Sequence, residues 1–118
     1  MVITEVFAGI AVADRDAGFA WYERLVGRPP DLVAHEDDVA WQLAGGGWIS
    51  VAVERDRAGT AFVTLLVEDL EGLVAELRER GLAAGPIETI PGKVRTSVIT
   101  DPDGNRLQLG EPLGGDAG

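Results

Sequence analysis

The chain has 118 residues, 46% of them hydrophobic and 25% charged, the balance of a chain that folds around a core rather than of a disordered segment. Its formal charge of −10 opposes the phosphate backbone of nucleic acid and favours a cationic ligand, while also serving solubility. Cysteine is absent, which excludes disulfides and thiolate chemistry; no apolar run nears the roughly 18 residues of a membrane span and no basic-then-apolar leader opens the chain, so a cytoplasmic protein is expected.

The stretch Phe7-Ala8-Gly9-Ile10-Ala11-Val12-Ala13-Asp14 reads as a strand, with Ile10 and Val12 on one face at period two. Its closing aspartate is suited to capping a helix, because the carboxylate accepts from the free N–H groups of a first turn. A helix is predicted over 15–26, with Phe19, Tyr22, Leu25 and Val26 on one side and Gly27 as its stop. Strands are predicted near 31–35, 38–43 and 48–53, the last two joined by the turn Gly45-Gly46-Gly47.

The pattern then starts again. Phe62-Val63-Thr64-Leu65-Leu66-Val67-Glu68-Asp69 repeats the strand and its cap, and Leu70, Leu73, Val74 and Leu77 predict a helix over 70–80 that stops at Gly81. Three strand candidates follow near 83–90, 95–100 and 106–109, the last two separated by the turn Asp101-Pro102-Asp103-Gly104. The expectation is an α+β domain over 1–113 made of two βαβββ modules, about 2–56 and 57–113, followed by a flexible tail at 114–118.

This doubled layout resembles the vicinal oxygen chelate superfamily, which includes glyoxalase I, the bleomycin-resistance proteins and extradiol dioxygenases. Ala20-Trp21-Tyr22-Glu23-Arg24-Leu25-Val26-Gly27 looks like the family's first-helix ending, and Val67-Glu68-Asp69-Leu70 with Leu77 and Gly81 is similar to its second strand–helix unit. Thr100-Asp101-Pro102-Asp103-Gly104-Asn105-Arg106-Leu107-Gln108-Leu109 looks like its closing hairpin. The order and spacing of these motifs, over about residues 2–112, carry the resemblance. It implies modules that form a cupped mixed sheet with helices outside, ligands held in the cup, and frequent homodimerisation.

The resemblance also implies where metal-dependent members hold a divalent ion, with one His or Glu on each of four strands. The matching positions here are Phe7, Phe62, Gln108 and a residue within Trp48-Ile49-Ser50-Val51-Ala52, where strand phase indicates Ser50 and leaves Ala52 open. Phenylalanine cannot ligate a cation, so neither a metal site nor a cofactor is expected. The one histidine, His35, lies among Glu36, Asp37 and Asp38 and reads as a solvated loop residue.

Strand alternation predicts a cup lining of Phe7, Gly9, Ala11, Phe62, Thr64, Leu66, Trp48, Ser50, Ala52 and Gln108, which is apolar with a few neutral polar handles. The ligand-binding candidates are therefore Phe7, Trp41, Trp48, Ser50, Phe62, Thr64, Arg95 and Gln108, with Trp41 and Trp48 offering stacking or cation–π contacts and Arg95 a clamp for a carboxylate. Arg95 reads more readily as an exposed cross-strand charge, and the basic patch of Lys93, Arg95 and Arg106 as a surface partner for Glu88 or Asp101. Phe7 and Phe62 are also large enough to fill the cup.

Three functions follow. One is a small-molecule binding protein of the glyoxalase/bleomycin-resistance type that sequesters an antibiotic or another hydrophobic or cationic ligand, in the cup or in a groove between the subunits of a homodimer. A second is an enzyme of the same family (a glyoxalase or lyase, an isomerase or a dioxygenase) with an altered or metal-free site, for which Glu5, Glu54, Glu88 and Tyr22 are acid–base candidates. A third is a structural or regulatory partner whose cup is filled.

Overall fold

The computed structural model describes residues 1–114. The strands are β1 (Val6–Val12), β2 (Leu32–His35), β3 (Asp38–Ala44), β4 (Gly47–Val53), β5 (Phe62–Leu66), β6 (Glu88–Ile90), β7 (Val94–Thr100) and β8 (Arg106–Pro112). Helix α1 (Arg15–Val26) follows β1 and helix α2 (Leu70–Glu79) follows β5, so the element order is βαβββ twice. Two four-stranded mixed sheets result, ordered β1-β4-β3-β2 and β5-β8-β7-β6. In each, the first and last strands of a module pair in parallel and the others pair antiparallel. Of the expected tail, Gly114 is a bend; residues 115–118 lie outside the described residues.

The chain forms two compact units. One comprises Met1–Ala61 with the turn Asp101–Asn105; the other comprises Phe62–Thr100 and the residues from Arg106 onward. That five-residue turn, though late in sequence, is a structural part of the first unit.

Both helices start as their sequences dictate. Asp14 accepts from the Ala17 N–H at 2.8 Å and Asp69 from the Gly72 N–H at 3.0 Å, each satisfying a donor that the first helical turn leaves unpaired. α1 ends at Gly27, whose φ of 90° lets its N–H reach back to the Glu23 carbonyl at 2.7 Å. In the first unit α1 buries Tyr22 and Leu25, while Ile10, Val12, Val39, Trp41, Ile49 and Val51 are the buried side chains of its sheet. Gly18 permits this packing at close range, since a Cβ there would lie 2.8 Å from the Val12 side chain. In the second unit Leu70 and Leu77 of α2 are buried, with Leu82, Ile99, Leu107 and Leu109.

The predicted strand over 83–90 is shorter than expected. Only Glu88–Ile90 pairs as a strand. Upstream, Pro86 has no N–H to give a ladder, and the chain is instead fastened at Gly85, whose N–H donates to the Val98 carbonyl (2.8 Å) and whose carbonyl accepts from the Ser97 hydroxyl (2.7 Å).

Candidate functional site

Register decides which side chains share a face, because residues directly opposite in a ladder project the same way. In the first sheet Phe7 opposes Trp48, Gly9 opposes Ser50 and Ala11 opposes Ala52, while Gln42 opposes Trp48 and Asp38 opposes Ala52. These residues make the face away from the buried core, the open face. Trp41 opposes Ile49, which is core, so Trp41 lies on the other face and is fully buried, its indole N–H donating to the Arg28 carbonyl at 2.9 Å. Trp41 therefore cannot stack on a ligand, which corrects the expectation. The cause is the register shift between Gln42 and Ala44, which fixes the phase of β3 against β4.

Register sorts the second sheet in the same way. Phe62 opposes Arg106, Thr64 opposes Gln108 and Leu66 opposes Gly110, and Val98 also opposes Gln108. Thr64 donates its hydroxyl to the Gln108 side-chain oxygen at 3.2 Å, and the Arg106 guanidinium sits 4.8 Å above the Phe62 ring. Arg95 opposes Glu111 and alternates with Thr96, so it leaves this face and forms an ion pair with Glu71 of α2 at 2.5 Å. The carboxylate-clamp expectation for Arg95 is corrected accordingly: its partner is a helix side chain. Asp101 is likewise no surface partner for a basic patch, being 4% exposed.

The open face of the first sheet is the more completely built. At one end the Phe7 and Trp48 rings stack with centroids 5.1 Å apart and planes 22° apart, and the Trp48 N–H donates to Glu5 at 2.7 Å. Phe7 stays half exposed against Trp48 and does not plug the face. Beyond this pair the side chains become small. Gly9, Ala11, Ser50 and Ala52 floor a cavity of about 330 Å³, toward the lower end of the ~300–1,000 Å³ typical of ligand sites. Ile10, Asp38, Glu54, Arg57, Thr60 and Ala61 complete its lining.

The Asp101–Asn105 turn holds that wall. Asn105, fully buried, donates from its amide nitrogen to the Ala11 carbonyl and to Asp101, both at 2.8 Å, and its side-chain oxygen accepts from the Ala61 N–H at 2.9 Å. It thus ties the end of β1 to the cavity wall. Asp101 accepts from the Tyr22 hydroxyl at 2.7 Å and from the N–H groups of Asp103, Gly104 and Asn105 at 2.9–3.0 Å. Gly59 lies so close that a Cβ would fall 2.2 Å from the Asp103 carbonyl oxygen. Burial, then the bond to Asp101, raises the Tyr22 pKa far above its ordinary value, so the phenol stays protonated and is structural rather than an acid or base. From the sequence, Asp101 reads as part of a reverse turn or as a surface charge partner and Asn105 as part of the closing hairpin, with no sign that either holds a cavity wall; Asp38, Arg57, Thr60 and Ala61 were not among the candidates. Asp38 had a usable signal: it alternates with Gln42, and a hairpin at Gly45-Gly46-Gly47 brings Gln42 opposite Trp48.

The positions at which the resemblance implies metal ligands fall on both sheets. Phe7 lies on the first sheet with both candidates for the fourth position, Ser50 and Ala52, while Phe62 and Gln108 lie on the second. Among the described residues no three His, Cys, Asp or Glu side chains group as metal ligands. His35 is exposed, and its Nδ1 accepts from the Asp37 N–H at 3.2 Å. Among the described residues no helix is long and apolar enough to cross a membrane.

Residues 4–109 match the family model for the glyoxalase/bleomycin resistance protein/dioxygenase superfamily. A solved glyoxalase/bleomycin resistance protein from Catenulispora acidiphila is 38% identical, with 92% of this chain and 98% of that one covered at a TM-score of 0.87. An antibiotic binding protein from a Streptomyces species shares the fold at 22% identity and a TM-score of 0.75, covering 95% of this chain and 98% of that one. A putative glyoxalase family protein from Bacillus anthracis does so at 18% identity and a TM-score of 0.75, over 95% and 97%. No curated protein matches the sequence.

Proposed function

The chain belongs to the glyoxalase/bleomycin resistance protein/dioxygenase superfamily, and within it we propose a small-molecule binding protein that works without a metal ion and seats its ligand on the open face of the first sheet. The observation that carries this reading is the cavity floored by Gly9, Ala11, Ser50 and Ala52 beside the stacked Phe7–Trp48 pair. Apolar ligand surface placed on such a floor gains about 25 cal/mol per Å² removed from water. That a fold relative is an antibiotic binding protein adds support for sequestration as the purpose.

The protein acts as a homodimer in this proposal. Phe7, Val33, Phe62, Leu66 and Ile90 are all between 47% and 66% exposed, apolar surface of the kind a second copy covers. Sedimentation equilibrium tests this, with a dimer mass expected at micromolar concentration and a monomer mass at every concentration counting against it.

Metal independence is tested by thermal melts of chelator-stripped protein with Ni²⁺, Zn²⁺, Mn²⁺ or Fe²⁺. An ion at about 100-fold over its Kd adds roughly 2.7 kcal/mol, several degrees in Tm for a chain of this size. No saturable shift is expected; a clear one with any ion contradicts the metal-free reading.

A second reading has one observation in its favour, the carboxylate of Glu54 at the cavity. In that reading a metal-free enzyme uses Glu54 to take a proton from a carbon acid bound there. Deuterium exchange at the α-carbon of a bound ketone, abolished in Glu54→Gln, is its signature; equal exchange rates for the wild type, Glu54→Gln and buffer remove it.

A further inference from the structure

We infer that the ligand taken by the first-unit cavity is a compact organic ammonium ion, anchored by Asp38 and Glu54 while its apolar body rests on the small-residue floor. The inference rests on the proposed ligand site and adds the chemical class. Among the described residues, neither carboxylate has a hydrogen-bond or ion-pair partner, although both line the cavity. Asp38 is half-buried and projects on the same face as Ala52, directly opposite it in the ladder. Glu54 follows β4, its backbone N–H fixed to the Val12 carbonyl at 3.1 Å, so the start of its side chain is set by the sheet. Arg57 lines the same cavity without bonding to either, leaving two carboxylates against one guanidinium. A cation is therefore attracted and an anion opposed.

The shape argues with the charge. Gly9 needs to be glycine neither for its backbone, which is not in the left-handed region, nor for packing, since an added Cβ meets nothing nearer than the Ser50 hydroxyl at 3.9 Å. What its missing side chain leaves is room directly over the floor. Together with Ala11 and Ala52, this gives space for a flat or slender apolar group whose ammonium end reaches the rim. Quaternary, tertiary and primary ammonium ions satisfy the same charge requirement; a primary one also donates to both carboxylates.

The experiment is calorimetric titration of the chelator-stripped protein with three matched probes: 3-phenylpropylammonium, 3-phenylpropanol and 3-phenylpropionate. The ammonium ion is expected to bind at least about fivefold more tightly than the alcohol, and the carboxylate more weakly than either. Asp38→Asn and Glu54→Gln are each expected to weaken the ammonium by about three- to fivefold and to leave the alcohol unchanged. Gly9→Leu fills the floor and is expected to abolish binding of all three, while its unaltered melt shows the fold intact. If the alcohol binds as well as the ammonium, is blocked by Gly9→Leu and ignores both carboxylate variants, the cavity is a ligand site and the ammonium inference is overturned. If the ammonium binds but ignores Gly9→Leu, or no probe binds at millimolar concentration, the cavity itself is wrongly assigned and both readings fall.

Discussion

At the residue scale, Tyr22 and Asp101 show how much one buried contact carries. The chain's single tyrosine places its hydroxyl 2.7 Å from a carboxylate that already accepts from three backbone N–H groups and from Asn105. Removing that hydroxyl in Tyr22→Phe is expected to cost about 1.5–3 kcal/mol, the range for a hydrogen bond to a charged group, measured by urea unfolding at pH 7. The pH dependence has a definite sign. The folded pKa of Tyr22 is raised above the unfolded value near 10, chiefly by burial, so the contribution is complete below pH 10. Above it the unfolded tyrosine ionises while the folded one does not, and stability falls by about 1.4 kcal/mol per pH unit. Tyr22→Phe is expected to lack that alkaline decline; an equal decline in both proteins between pH 10 and 11.5 contradicts the assignment. None of this was legible beforehand. The reading of Tyr22 as a packing residue was available from its helical phase, but a partner 79 residues away was not.

At the element scale, the two helix starts, both glycine stops and the doubled strand pattern were readable because each depends on neighbours in sequence: Asp14 and Asp69 cap the turns that follow them, and Gly27 ends α1 within one turn. Strand facing was partly readable. Period-two alternation placed Phe7, Gly9 and Ala11 together, and Trp48, Ser50 and Ala52 together, on the open face they share. Trp41 escaped the rule because alternation within β3 has two phases and only the ladder with β4 chooses between them. Arg95 escaped because its partner, Glu71, comes from a helix. Close packing of α1 on β1 gives a sharper test. Gly18→Ala improves helix propensity by about 1 kcal/mol, yet its Cβ would lie 2.8 Å from branched atoms of Val12. Overpacking of this kind costs about 1–3 kcal/mol, so a net loss of stability is expected by denaturant melt. Asn105→Ala should cost about 2–4 kcal/mol, because the Ala11 carbonyl and the Ala61 N–H both lose their side-chain partner.

At the scale of the whole molecule, the family was legible in the order of its motifs, and the model match over residues 4–109 rests on the same stretch. The cavity was only half legible. Its floor came from alternation, but its rim comes from Asp38, Glu54 and Arg57, which belong to the start of β3 and to the turn after β4, and from a wall held by the Asp101–Asn105 turn, distant in sequence. A net charge of −10 also has a consequence for the molecule as a whole, since like charges repel more in the compact state than in the expanded one. Raising sodium chloride from about 0.05 to 0.5 M shortens the screening length from over 10 Å to under 5 Å, and Tm is expected to rise with it. A flat or falling Tm would show that local ion pairs such as Arg95–Glu71 outweigh the overall repulsion.

On the proposed function, the open face of the first sheet holds a small molecule with no metal present. Amide chemical-shift mapping of the chelator-stripped, ¹⁵N-labelled protein tests it most directly, with 3-phenylpropylammonium as the titrant. Saturable shifts are expected to concentrate at Gly9, Ala11, Ser50, Ala52, Thr60 and Ala61, which are among the residues that line the cavity, and to be unchanged when chelator is replaced by Zn²⁺ or Ni²⁺. Shifts that gather on α1 or α2, or that appear only after a metal ion is added, would contradict it.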